Sequence, residues 1–94
     1  FDAELFEAVF QGYLLKARHL LKRSDLEFLY EATWLLPFEL GLRFLADHLR
    51  GDVYFKIAYP GHNLNRAEAQ FARVQNIEHQ RTRLLEILRH QWLS

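Results

Sequence analysis

Histidine is the residue type in this chain best suited to metal binding or proton transfer, because its pKa lies near neutrality and its ring nitrogens are good metal ligands. The chain has five, at positions 19, 48, 62, 79 and 90, and none belongs to a His-Glu-x-x-His motif. His79 and His90 share a face of one predicted helix with Glu86, but such a group in a last helical turn more often forms salt bridges. The spacing therefore predicts no metal site.

Phosphate transfer by a kinase uses a catalytic aspartate, an acidic metal ligand and a lysine that holds nucleotide phosphates, and a glycine-rich loop is a common phosphate-binding motif. The four glycines are scattered, His-Gly-Asp does not occur, and the one Gly-Asp pair, Gly51-Asp52, follows Arg50 at a predicted helix end. We therefore expect that this chain alone does not transfer phosphate and binds no cofactor.

Charge and hydropathy exclude several classes of partner. Twelve Lys and Arg balance twelve Asp and Glu, which argues against binding to nucleic acid. No apolar run of about eighteen residues could span a membrane, and no basic leader precedes an apolar segment. Together with the absence of cysteine, these features predict a cytoplasmic protein.

The apolar content is high for a chain of this size. Half of the residues are hydrophobic and 15% are aromatic, whereas a small domain buries only roughly 60% of its unfolded surface. We therefore expect either a homodimer or packing against a larger body. Because the chain opens at Phe1 and contains no methionine, we interpret residues 1–94 as one helical domain from a larger or processed protein.

The apolar spacing predicts an all-α fold of three long helices. The first helix should run from about Ala3 to Arg18, with Asp2 as its N-cap. Gly12 within it marks either a close approach of another backbone or a harmless surface position.

The second predicted helix begins at Asp25, after a capping box formed by Ser24 and Glu27. It should end at Arg50 and Gly51, where a glycine can adopt a left-handed cap. Pro37 lacks a backbone donor, so we expect a kink or short break near Leu36.

Residues 52–62 form an apolar and aromatic connection with no partner strand in the sequence, which predicts an extended, packed linker. Asn65 with Glu68 then resembles a second capping box. The third helix should run from about Arg66 to Trp92. Its polar run, residues 78–83, should cross solvent between two apolar stripes.

The segment Glu39–Phe71, ELGLRFLADHLRGDVYFKIAYPGHNLNRAEAQF, resembles the C-terminal part of aminoglycoside phosphotransferase family kinases, most closely the N-acetylhexosamine 1-kinase branch. The resemblance covers most of the chain from Phe1. It implies the C-terminal helical subdomain of a kinase-like fold, packed on the rest of the parent kinase chain. The parent would use ATP and Mg²⁺, and its catalytic loop would lie upstream.

In that branch the C-terminal helices wall the sugar site, and the matching positions here are Arg43, within LGLRFLADHL, and Tyr54, within GDVYFK. The resemblance thus implies that both residues bind a small sugar or amino-sugar acceptor through a guanidinium fork, a hydroxyl and a ring edge. From spacing alone, Glu39, Arg43 and Asp47 indicate a surface ion-pair ladder, and a lone tyrosine is more often a core residue. The resemblance favours the binding role.

An alternative function, from a different class, is a helical interaction or dimerisation module with no catalytic role.

Overall fold

The computed structural model describes residues 1–93, so Ser94, the last residue of the predicted domain, lies outside the described residues. In chain order, the helical elements are α1 (Ala3–Ala17), a 3-10 turn (Arg18–Leu20), α2 (Asp25–Arg50), α3 (His62–His79) and α4 (Arg81–Leu93). Helix accounts for 81% of the described residues, and no strand occurs among them. The all-α prediction is confirmed, whereas the prediction of three helices is wrong because the third is divided in two.

The first helix forms as its sequence predicts. The Asp2 carboxylate accepts hydrogen bonds from the backbone N–H groups of Glu4 and Leu5, at 3.0 and 3.1 Å, and so caps α1. A Cβ atom placed on Gly12 would meet no atom within 4 Å. Within the described chain, Gly12 is therefore a surface glycine and does not mark a backbone contact.

The bounds of α2 are confirmed, since it begins at Asp25 and ends at a left-handed Gly51 with a φ of 92°. The predicted capping box is wrong: Ser24 has helical dihedral angles and its side chain makes no capping bond. Instead, the Asp25 carboxylate accepts from the backbone N–H of Lys22 at 2.9 Å.

Of the predicted kink or short break near Leu36, the break is wrong, because α2 continues through Pro37 as one helix of 26 residues. The kink near Pro37 stays a prediction. The proline removes one backbone hydrogen bond. Contacts of α2 with α3 on the C-terminal side of the proline, such as Phe38 against Phe71 at 6.2 Å between ring centroids, hold the later turns in place.

The start of α3 differs from the prediction. It begins at His62, behind Gly61 in the left-handed conformation (φ 83°). Asn65 lies inside the helix and donates to the Tyr59 hydroxyl at 3.1 Å, so the predicted cap by Asn65 and Glu68 is wrong. The turn at Pro60-Gly61 starts the helix without a side-chain cap.

The break between α3 and α4 lies at Gln80, within the polar run of residues 78–83. The backbone N–H of Gln80 is shared by the carbonyl groups of Asn76 and Ile77, each at 3.1 Å, where α3 ends. Ile77 and Leu84 are fully buried on either side of this turn. The turn directs α4 against α1 and α2, which a single continuous helix could not reach.

The molecule is elongated, with extents of 49 × 24 × 20 Å and a radius of gyration of 16.3 Å, against roughly 12 Å for a compact domain of this length. One core lies where α1 and α4 meet the first half of α2, and includes Phe10, Leu26, Tyr30 and Leu88. The second half of α2 packs along α3. Because the body is narrow, many large apolar side chains remain exposed, as the composition predicts.

Candidate functional site

A groove of about 380 Å³ lies between the last turns of α2 and the start of the loop 51–61. Both residues predicted from the sequence, Arg43 and Tyr54, lie on its wall. The lining combines cationic, acidic, aliphatic and aromatic side chains: Glu39, Leu42, Arg43, Ala46, Asp47, Arg50, Tyr54 and Phe55. A mixed lining of this kind suits a small ligand that carries both polar groups and an apolar face.

Arg43 is held at the wall by an ion pair within α2. Its Nη2 donates to Glu39 Oε1 at 2.7 Å, and both side chains are more than half exposed. This pair is the first step of the ladder predicted from the spacing. The predicted second ion pair, between Arg43 and Asp47, is wrong, because the Asp47 carboxylate binds the loop instead.

Asp47 is the residue that attaches the loop to α2. Its side chain is buried; Oδ1 accepts from the backbone N–H of Tyr54 at 2.8 Å, and Oδ2 accepts from that of Phe55 at 3.0 Å. The hydrogen bond from Phe55 is the largest influence on the pKa of Asp47 and lowers it, burial raises it, and the bond from Tyr54 lowers it further. The net effect holds the pKa below its ordinary value, so the group stays ionised.

Asn63, at the start of α3, completes the polar network beneath the loop. Its side chain has no exposed surface, and Nδ2 donates to Asp47 Oδ2 at 2.9 Å and to Asp52 Oδ1 at 3.0 Å. Its Oδ1 accepts from Arg66 Nη1 at 2.9 Å. The network holds Asp52 in a left-handed conformation, with a φ of 62°, which is unusual for a residue other than glycine.

Arg66, on α3, also binds the loop. Its Nη1 donates to the Lys56 carbonyl at 3.0 Å, and its guanidinium lies 5.5 Å from the centre of the Phe44 ring. The Phe44 ring in turn packs on Phe55, with centroids 4.7 Å apart. The loop is thus held both by hydrogen bonds and by aromatic packing.

Tyr54 combines a fixed backbone with a free side chain. Its N–H is bound by Asp47, yet the residue is 83% exposed. Its ring meets Phe55 edge to face at 4.9 Å. The interpretation of Tyr54 as a core aromatic is therefore wrong, and the residue lines the groove.

The histidines do not come together. His79 ends α3 and His90 lies on α4, so the predicted shared face is wrong. His62 accepts a hydrogen bond from the backbone N–H of Ala58 at 3.1 Å and stacks on Tyr59, which is a local structural role. Among residues 1–93, no cluster of three or more His, Asp or Glu side chains could hold a metal ion.

Asp47 and Asn63 shape the groove, and sequence reasoning missed both. Asp47 has the same four-residue spacing from Arg43 as Glu39, so a helical pattern alone assigns it to the surface. A signal was present in Asn63, a polar residue two positions after the Pro60-Gly61 turn. Its partner lies on another helix, and only the path of the loop brings the two together.

Comparison of the chain with models of known protein families and with solved structures finds no match. No helix in the described part of the chain is both long and apolar enough to cross a membrane.

Proposed function

We propose that this chain is the acceptor-binding helical part of a small-molecule kinase of the aminoglycoside phosphotransferase type. In this proposal Arg43 and Tyr54 bind a sugar or an amino sugar. The observation that supports it is that these two residues, selected from the resemblance of Glu39–Phe71 to that family, lie on the wall of one groove although they belong to different elements.

The chemistry of the groove suits such an acceptor. A sugar ring presents hydroxyl groups on its rim and apolar C–H groups on its faces. The planar fork of Arg43 can donate to two neighbouring hydroxyls or to an N-acetyl carbonyl. The Tyr54 ring can pack on a C–H face, and Glu39 can accept from a hydroxyl or pair with an amino group.

The remaining parts of the reaction belong to the rest of the proposed parent chain. That part would supply the catalytic aspartate and bind ATP and Mg²⁺, in the cytoplasm, where ATP is available. The contribution of the groove would be to fix the acceptor so that one hydroxyl faces the γ-phosphate, since phosphoryl transfer depends chiefly on positioning and on charge stabilisation.

The test is phosphate transfer by the protein that contains this chain, with ATP, Mg²⁺ and a panel of amino sugars. Arg43→Ala and Tyr54→Phe are compared with Arg73→Ala and Tyr13→Phe, which change the same residue types away from the groove. We expect the KM for the sugar to rise at least about tenfold in Arg43→Ala, with the KM for ATP unchanged. Equal effects in the groove and control variants, or no transfer to any sugar, would contradict the proposal.

A second candidate function is a helical interaction or dimerisation module without catalysis. The observation that favours it is the amount of exposed apolar surface, with Leu15, Phe28 and Leu49 each more than 70% exposed. If no sugar serves as an acceptor and copies of the chain form a stable dimer or larger assembly, this second function would be favoured.

A further inference from the structure

The helix α2 carries an apolar stripe along its outer side. Phe28, Leu35, Leu42 and Leu49 recur every seven residues, and Phe38 lies three residues after Leu35. The first four occupy the a position of a heptad pattern and Phe38 occupies one of its d positions, a spacing that packs one helix against another. We call these five residues the α2 seam.

The seam is only partly covered in the monomer, where Phe38 also packs on Phe71. Phe28 is 72% exposed, Leu35 49%, Phe38 37%, Leu42 46% and Leu49 77%. The other side of α2, which includes Tyr30 and Gly41, is buried against the rest of the fold. At roughly 200 Å² for each fully exposed residue of this size, the seam offers roughly 550 Å² per copy. Two copies would bury about 1,100 Å² before flanking residues are added, close to the lower limit for a specific interface.

The charges beside the seam indicate which partner it fits. The first half of α2, residues 25–37, carries Asp25, Glu27 and Glu31 and no Lys or Arg. The second half carries Glu39, Arg43, Asp47 and Arg50. In that half Glu39 pairs with Arg43, and Asp47 is buried and bonded to the loop. The helix therefore has an acidic first half and a second half that ends in the cation Arg50, with the apolar stripe running through both.

We propose that the α2 seam is a homodimer interface in which two copies of this chain pack α2 against α2 in antiparallel orientation. This orientation places the acidic half of each helix against the half of the other that carries Arg43 and Arg50, and a two-fold axis repeats the arrangement at both ends. A parallel pair would bring the acidic halves together. The proposal does not depend on the acceptor-binding function.

The dimer also has a consequence for the groove. Leu42 belongs to the seam and lines the groove next to Arg43. A partner helix on the seam therefore lies beside the groove, and the partner's acidic half faces the Arg43 and Arg50 side chains.

The test is the oligomeric state of the full chain, measured by sedimentation velocity over a range of concentrations. We expect a dimer that Leu35→Glu converts to a monomer. Leu15→Glu introduces the same charge at an 88% exposed leucine on α1 and should leave the dimer intact. Circular dichroism checks that both variants are folded, which is expected because neither leucine is buried.

Disulfide cross-linking tests the orientation, because the natural chain contains no cysteine. In an antiparallel seam that runs from Phe28 to Leu49, Leu35 lies opposite Leu42 of the other copy. A mixture of Leu35→Cys and Leu42→Cys should therefore form a disulfide-linked dimer, whereas Leu42→Cys alone should not. A chain that stays monomeric at millimolar concentration, or a dimer that Leu35→Glu leaves unchanged, would overturn the interface. Cross-linking of Leu42→Cys with itself and not with Leu35→Cys would overturn the antiparallel arrangement.

Discussion

Asn63 Nδ2 donates a hydrogen bond of 2.9 Å to Asp47 Oδ2 and joins the first turn of α3 to the last turns of α2. Both side chains are buried. The same Asp47 carboxylate binds the backbone of Tyr54 and Phe55. One buried carboxylate therefore fixes the angle between two helices and the position of the loop that forms one wall of the groove.

The first prediction concerns the chemistry of this carboxylate. In Asp47→Asn, one acceptor oxygen becomes an NH₂ group that faces a hydrogen-bond donor, either Asn63 Nδ2 or a backbone N–H of the loop. A buried donor without an acceptor destabilises a fold. We expect a clear fall in the melting temperature and faster amide hydrogen exchange at Tyr54 and Phe55. The control is Glu68→Gln, the same chemical change at an exposed position of α3; an equal fall in both variants would contradict the role of Asp47.

The second prediction concerns pH. Because the folded protein lowers the pKa of Asp47, the ionised group stabilises the fold fully above its unfolded pKa of about 3.9. This stabilisation is lost as the pH falls through the lower folded value. Urea unfolding between about pH 6 and pH 2 should show a free energy of unfolding that decreases with acidity over that range. In Asp47→Asn this decrease in the free energy of unfolding should be smaller. The same pH dependence in the variant and the natural protein would contradict the stabilising role of ionised Asp47.

The third prediction compares two glycines within helices. A Cβ atom at Gly41 would lie 2.6 Å from Phe71 Cε1, whereas one at Gly12 would meet nothing within 4 Å. Gly12→Ala should stabilise the protein by roughly 0.5–1 kcal/mol through helix propensity. Gly41→Ala should destabilise it, because the Phe71 ring must move away from Phe38. Chemical denaturation measures both, and the same sign for the two substitutions would show that α2 and α3 do not approach as described.

The fourth prediction concerns the exposed ion pair of Glu39 and Arg43. Glu39→Gln should change the melting temperature little, since surface ion pairs contribute about 0–1 kcal/mol. If the groove binds an acceptor as proposed, the same substitution should weaken sugar binding, because Glu39 holds the Arg43 guanidinium at the wall. Calorimetric titration of the protein with an amino sugar measures the affinity. Unchanged affinity would remove Glu39 from the site.

Local sequence signals predicted the helices where the chain meets few neighbours. Asp2 caps α1 and Gly51 ends α2 because these signals act through atoms within a few residues. The signals failed at Ser24 and Asn65, where a suitable cap residue is present but the preceding turn starts the helix. They failed again near Gln80, since a polar run is compatible both with a continuous helix and with a turn.

The sequence by itself determined the helical class, the bounds of the first two helices and the surplus of apolar surface, because each follows from local spacing or from composition. It also suggested Arg43 and Tyr54, through a resemblance and not through spacing. Only the tertiary structure decided that Asp47 leaves the ion-pair ladder to bind the loop, that Tyr54 stays exposed, and that α4 turns back onto α1 and α2. Those outcomes depend on atoms distant in the chain, and a periodic pattern does not specify which distant groups will meet.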